Sequence, residues 1–235
     1  MTDPNIQDES SETESLADAV VEHGLDLSIE QVDRLDAYRR ELWAWNEKLN
    51  LTRHTTIEKY VTRDLVDTLQ LSELLSEGER VLDVGSGGGV PGLPLSIVRP
   101  DLKVGACESV AKKANVLQSI TTDLDLPVKV YAARVETVLE SERFDTLIAR
   151  AVAPLWKFLF WLKPHRDAFG RLLLIKGPGW VEERGEARHR GLMKGFELRR
   201  VGEYVTPRTD AVSTLLSITK ATKPERSPRK QGKNR

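Results

Sequence analysis

The sequence predicts an α/β protein: a mostly parallel, seven-stranded sheet with helices on both faces, preceded by a helical extension. Three observations carry this. Short apolar runs alternate with helical patterns from residue 79 onward, as in consecutive βαβ units. One stretch, Arg80 to Pro100 (RVLDVGSGGGVPGLPLSIVRP), reads as strand, glycine turn and helix. Before it, apolar residues recur at helical spacing.

The elements follow in order. Ser28 with Gln31 three residues later forms a capping box. Ile29, Val32, Leu35, Leu42, Trp45 and Leu49 then fall on one helical face, which is expected to be buried. Upstream, SLADAVVEHGL has the pattern of a short helix. A second helix starts near Thr56 and carries Ile57, Val61, Leu65 and Leu69. Trp43 and Trp45 read as core aromatics, with a stacking platform for a base as the other reading. Val81, Leu82 and Val84 mark the first strand, with Asp83 near its end. Lys103 to Glu108 is the second strand, Lys112 to Leu124 a helix, Val128 to Ala133 the third strand and Phe144 to Ala149 the fourth. Leu155 to Leu162 is a helix and Arg171 to Lys176 the fifth strand. Glu197 to Val205 and Ser213 to Lys220 close the sheet, and an antiparallel final strand is common in such sheets. The four histidines, 23, 54, 165 and 189, are scattered; they read as surface residues and form no metal-ligand cluster. One folded domain is expected over residues 28–220, with a helical extension (28–78) and an α/β core (79–220). Disordered tails, acidic over 1–27 and basic over 221–235, are expected to flank it.

Composition bounds the rest. The chain of 235 residues is 40% hydrophobic and 30% charged, enough apolar material for a substantial core in a soluble fold. A single cysteine, Cys107, excludes an intrachain disulfide framework and suits a reducing cytosol. No apolar run approaches membrane-span length, and the acidic N-terminus lacks the layout of a signal peptide. A cytoplasmic protein is expected, without membrane contact, and a monomer. The net charge of −1 conceals an asymmetry: Met1 to Asp33 holds no Lys or Arg, whereas Lys220 to Arg235 holds one acid, Glu225, among many bases. Such a basic tail can hold phosphate backbones without reading sequence, or simply keep the chain soluble.

The glycine turn can be read in two registers. From Gly87, the residues Gly87-Gly88-Gly89-Val90-Pro91-Gly92 match G-x-G-x-x-G, the dinucleotide fingerprint. From Asp83, the pattern is D-x-G-x-G-x-G, with glycines at 85, 87 and 89, as in S-adenosylmethionine (SAM) sites. Two features favour SAM. An acid two residues before the first glycine repels a pyrophosphate, yet can accept hydrogen bonds from a methionine ammonium, directly or through water. The dinucleotide register also begins well past the strand end and puts Pro91 where a backbone donor is wanted. Candidate cofactor-binding residues are therefore Asp83, Gly85, Gly87 and Gly89.

Further candidates stand at other strand ends. Glu108, after the second strand, can accept hydrogen bonds from both hydroxyls of a ribose; a solvated strand-end carboxylate is the alternative. Arg134-Val135-Glu136 follows the third strand, where a SAM fold borders adenine and Val135 can pack on its face. Arg150 follows the fourth strand beside the glycine turn, a place for positioning cofactor or substrate; a structural salt bridge is the alternative. Two absences narrow the chemistry. No N/D-P-P-Y/F motif follows the fourth strand, and Cys107 lies inside the second strand instead of in a loop suited to covalent attack. No general base stands out in the loop after the fourth strand. A ring nitrogen with a free lone pair, such as guanine N7, needs none, and catalysis can then be mostly positioning.

The chain resembles the RsmG (GidB) family. The resemblance is carried by Trp45-Asn46, Leu49-Asn50-Leu51-Thr52, LDVGSGGGVPGLPLSIVRP, Glu108-Ser109 with Lys112-Lys113, Arg134-Val135-Glu136, Arg150-Ala151 and Lys176-Gly177. It spans Leu27 to Lys220 and implies a class I, Rossmann-like SAM-dependent methyltransferase. The implied product is 7-methylguanosine in bacterial small-subunit (16S) ribosomal RNA, with free RNA or the assembling subunit as partner. It also implies that Gly85, Val90, Val135, Glu136 and Arg150 line the cofactor site. The sequence departs from the family pattern at Arg63-Asp64-Leu65-Val66-Asp67-Thr68, where Asp64 stands in place of His and Thr68 in place of Ser. Glu108 replaces the more usual Asp, and the acidic N-terminal extension is longer than the pattern. The alternative functions are a non-catalytic RNA-binding or assembly factor and an NAD-dependent oxidoreductase.

Overall fold

A computed structural model describes residues 15–221; residues 222–235 of the basic tail and residues 1–14 of the acidic one lie outside the described residues. Ser15 caps the first helix, α1 (Leu16–Glu22), by accepting a hydrogen bond from the Asp18 N–H. The capping box at Ser28 and Gln31 is formed and opens α2 (Ile29–Asn46). Thr56 caps α3 (Ile57–Lys59), which runs through a π-helical stretch, Tyr60–Leu65, into α4 (Val66–Ser72). The alternating part follows as β1 (Arg80–Val84), α5 (Gly92–Val98), β2 (Lys103–Cys107), α6 (Ala111–Asp123), β3 (Lys129–Tyr131), α7 (Val135–Ser141) and β4 (Phe144–Arg150). It continues through α8 (Leu155–Leu162), β5 (Phe169–Lys176), α9 (Trp180–His189), β6 (Phe196–Val205) and β7 (Val212–Lys220).

The seven strands make one sheet in the order β3-β2-β1-β4-β5-β7-β6. The pairs among β1 to β5 are parallel, while β7 runs antiparallel to both β5 and β6. This is the expected sheet. α7 and α9 are the helices absent from the sequence reading. α7 occupies what read as a loop at Val135, and α9 is polar enough to bury only Ala187.

Two apolar clusters cover the two sheet faces. One joins residues of α1, α2, α4, α5 and α6 to the sheet; the other joins α7, α8 and α9 to it. The helical extension is therefore part of the core. Leu35, Tyr38, Leu42, Tyr60, Val61 and Leu71 are fully buried in it. The tail boundary placed at residue 27 is corrected for the same reason: Leu16, Ala19 and Val20 of α1 are buried in the first cluster. Ile29 corrects the expected face of α2, being 84% exposed at the first helical position, while Tyr38 fills the buried stripe between Leu35 and Leu42. Trp43 and Trp45 pack partly buried against this cluster, in keeping with the core reading. Among the described residues, no helix is long and apolar enough to cross a membrane.

If the extension belongs to the core, Leu35→Ala destabilises the whole domain by about 3 kcal/mol through lost burial and the cavity left behind. Urea unfolding followed by tryptophan fluorescence and by circular dichroism is expected to give one coincident, shifted transition. A separate early transition of α2 is the contrary outcome.

Candidate active site

Strand order reverses between β1 and β4, and in open α/β sheets a crevice opens at the carboxyl ends beside such a reversal. β1 delivers the glycine turn there and β4 delivers Arg150. The Gly85 and Ser86 N–H groups both donate to the Cys107 carbonyl, at 2.8 and 3.1 Å, which ties the turn to the end of β2. Gly85, Gly87 and Gly89 have φ of +74°, +57° and +104°, a region that excludes most side chains. A Cβ on Gly87 would meet nothing nearer than the Gly85 carbonyl at 3.9 Å, so this backbone faces open space. The cleft in front of it holds about 350 Å³ and is lined by Leu51, Thr52, Gly87, Val90, Glu108 and Arg150, among others.

Two predicted residues, Asp83 and Gly89, lie elsewhere than expected. Asp83 is only 1% exposed and sits beneath the turn, where its Oδ2 accepts the Gly92 N–H at 3.1 Å. It fixes the turn and does not reach the cleft. Burial pushes its carboxyl up to about 7, against the opposing pull of the Gly92 hydrogen bond. The same bond occupies the last amide of the dinucleotide register. Gly89 also faces inward: a Cβ there would crowd Tyr38, Leu93 and Leu117 at 3.0 to 3.2 Å. Glu108 is buried, not a solvated strand end, and its two oxygens accept from the Gly87 N–H at 3.0 Å and the Val110 N–H at 2.7 Å. A carboxylate has about four acceptor positions, so two remain for a ligand at the cleft it lines.

Val135 and Glu136 line a narrow adjoining recess of about 90 Å³, with Val84, Ala133 and Trp161 as apolar walls. Cys107 lies in the same wall, its Sγ donating to the Ala133 carbonyl at 3.2 Å, and burial pushes its thiol up to about 12. A thiol so held is no nucleophile. A third cavity, about 700 Å³, opens on the other side of Arg150 and is lined by His54, Arg63, Asp67, Lys176 and Ser213, among others. Val152 borders all three cavities.

Arg150 is held by ion pairs. Its guanidinium pairs with Asp64 Oδ1 at 2.7 Å and donates to Asp67 Oδ2 at 3.0 Å, which realises the salt-bridge alternative while leaving the side chain on the wall of two cavities. Its own burial opposes the charge, yet the two carboxylates prevail and raise its pKa further. Asp67 Oδ1 accepts from the Tyr204 hydroxyl of β6. Asp64 is fully buried; its Oδ1 also accepts from His54 Nδ1 at 2.7 Å, and its Oδ2 has no partner. His54 and His23 are therefore engaged, His23 with Glu58 at 2.9 Å, and not free surface residues. The sequence reading missed Tyr38, His54, Asp67, Ala151 and Val152 as residues of this region. Tyr38 had a signal, its helical spacing from Leu35 and Leu42; its hydroxyl donates to the Gly88 carbonyl at 2.8 Å and holds the turn from behind. Ala151, with φ of +53° directly after Arg150, stood in the sequence only as part of the Arg150-Ala151 pair that carries the resemblance.

The cleft fits a SAM-sized cofactor on two observations: the cradle at Gly87 that a side chain would fill, and the spare acceptor capacity of buried Glu108 beside it. Strand order, the antiparallel β7 and a glycine turn directly after β1 make the chain a class I, Rossmann-like methyltransferase fold. A solved structure of MtNAS in complex with S-adenosylmethionine has a similar fold, with a TM-score of 0.54 and 18% identity over 90% of this chain and 86% of that one. Within the class, the chain belongs to the GidB family, rRNA small subunit methyltransferase G, whose pattern matches residues 31–211. The ribosomal RNA small subunit methyltransferase G of Rhodopirellula baltica is 55% identical over 186 residues, covering 79% of this chain and 80% of its own. The protein of that name from Roseiflexus sp. strain RS-1 is 42% identical over 173 residues, covering 70% and 73%.

Two outcomes test the turn. A Cβ on Gly85 would stand 2.6 Å from Val152 Cγ1 at a positive φ, so Gly85→Val is expected to cut affinity for S-adenosylhomocysteine (SAH) at least about tenfold by calorimetry. Undiminished affinity in a folded variant contradicts the assignment. For Asp83, the folded-state pKa lies above the unfolded one, so the folded state binds more protons between about pH 4 and 7 and stability falls as pH rises through that window. Asp83→Asn keeps an acceptor for Gly92 and removes this dependence. The variant is expected to gain on wild type between pH 4 and pH 8, by on the order of a few kcal/mol in urea melts.

Proposed function

We propose that this chain methylates the N7 nitrogen of a guanosine in small-subunit (16S) ribosomal RNA, with SAM as methyl donor. The observation that carries the reading is the junction at Arg150–Val152, where a cofactor-sized cleft over the glycine turn meets a larger cavity lined by Arg63 and Lys176. Membership of the rRNA small subunit methyltransferase G family supports the RNA class of the substrate. In this reading the protein works as a cytoplasmic monomer, on free RNA or on the assembling subunit.

When bound, SAM supplies a methyl group already activated on a sulfonium. The chain's part is to bind and orient. Gly85, Gly87 and Val90 offer close backbone approach, Glu108 accepts from ribose hydroxyls, and Val135 with Glu136 borders the base. Arg150 shapes the junction from its ion pairs and positions what enters it. Guanine N7 uses a lone pair and releases no proton, so no general base is required. The buried, hydrogen-bonded Cys107 disfavours covalent attack on a pyrimidine. Two readings weaken on specific observations. The dinucleotide register ends on an amide that Asp83 already holds. A non-catalytic binding factor has no use for an open cradle at Gly87.

The test is methylation of undermodified small ribosomal subunits with labelled SAM, then nucleoside digestion and mass spectrometry. The expected product is 7-methylguanosine. The rate at saturating substrates is expected to be flat from about pH 6 to 8, as it depends on no enzyme acid or base. Label on an exocyclic amine, a pyrimidine carbon or ribose rejects the reading; label on transfer RNA alone rejects the substrate.

A further inference from the structure

We propose that His54 is a positioning residue for the target guanine, presenting its Nε2 as a hydrogen-bond acceptor to the base's N1–H and exocyclic amine. The proposal rests on the guanine reading above. Its physical basis is the placement of one imidazole in the lining of the larger cavity, with its Nδ1 held by a buried acid. His54 Nδ1 lies 2.7 Å from Asp64 Oδ1, and Asp64 is a fully buried carboxylate that also pairs with Arg150. A carboxylate is an acceptor, so Nδ1 carries a proton, and the neutral form of the ring then presents its lone pair on Nε2. The ring lines the cavity and Nε2 has no partner among the described residues.

The loop that carries His54 is held at both ends of its peptide units. The Asn46 side-chain oxygen accepts from the Leu51 and Thr52 N–H groups at 2.8 and 2.9 Å. The His54 N–H donates to Thr52 Oγ1 at 3.0 Å, and its carbonyl accepts from Trp43 Nε1 at 3.0 Å. Leu51 and Thr52 of this loop line the cofactor cleft, while His54 lines the cavity beyond it. One rigid segment therefore spans both compartments and fixes the imidazole on the side away from the cofactor. A guanine that turns N7 toward the cofactor cleft turns its opposite edge, with N1–H and the amine, away from it. Both groups are donors, and an acceptor meets them; adenine presents an acceptor at N1 and is disfavoured.

The experiment uses the full chain, SAM and undermodified small ribosomal subunits, with three readouts: kcat, KM for the subunits, and SAH affinity by calorimetry. His54→Ala is expected to raise the KM about tenfold or more, the loss of one well-placed hydrogen bond, with SAH affinity within twofold of wild type. His54→Gln keeps an acceptor oxygen and is expected to recover most of the loss. An unchanged KM in His54→Ala, an equal loss in both variants, or a parallel fall in SAH affinity overturns the proposal. If wild type makes no 7-methylguanosine, the functional reading fails first and takes the proposal with it; an N7-methylating wild type with unaffected variants sinks the proposal alone.

Discussion

Arg150, clasped between Asp64 and Asp67, is the contact on which the site depends. It joins the end of β4 to the α3–α4 helix, and through the same two carboxylates it reaches His54 and Tyr204. All three charges are largely removed from water, so their mutual attraction must offset a desolvation cost of several kcal/mol per ion. The cluster achieves this with short, directed hydrogen bonds. Removing one member would leave a buried charge unpaired, which costs about 3–5 kcal/mol in comparable buried pairs. The same contact sets the wall between the cofactor cleft and the larger cavity, so fold stability and site geometry share one interaction.

Two local devices make the clasp possible. The π-helical stretch Tyr60–Leu65 widens one turn of the helix just where Asp64 meets Arg150 of β4 and Arg63 meets Thr206, directly after β6. Such stretches cost helical regularity and cluster at functional sites. The glycine turn is held from three sides: Asp83 beneath it, Glu108 beside it and the Tyr38 hydroxyl behind it. Its open face at Gly87 is therefore preorganised, and a ligand need not order the loop on binding. The helical extension supplies Tyr38, Asp64 and Asp67, which explains why it packs into the core.

Much of the fold was legible because local patterns report burial. The strand before Gly85, the capping box at Ser28 and the antiparallel closing pair all follow from periodicity and turn chemistry. The short, polar helices α7 and α9 were not, since they bury little apolar surface of their own. Ile29 misled because helical spacing alone does not distinguish a first-turn residue that the core never reaches. Among the site residues, Gly85, Gly87, Val90, Glu108, Val135, Glu136 and Arg150 do line the cavities. Asp83 and Gly89 match the motif yet face the interior, because a motif specifies spacing and not which side of a turn each residue presents.

The sequence by itself determined the sheet, the glycine turn, the family and the strand ends that carry the site. Only the tertiary structure decided how Arg150 is used. Its partner Asp67 lies 83 residues away in the chain, and Tyr204 lies 137 residues beyond Asp67. No local periodicity encodes such pairings; they exist because Asp67 of the extension packs against the ends of both β4 and β6. The engagement of His54 with Asp64 was hidden for a related reason. Asp64 stood out only as a departure from the family pattern and His54 only as a scattered histidine, and packing alone shows that one is buried and the other lines the cavity.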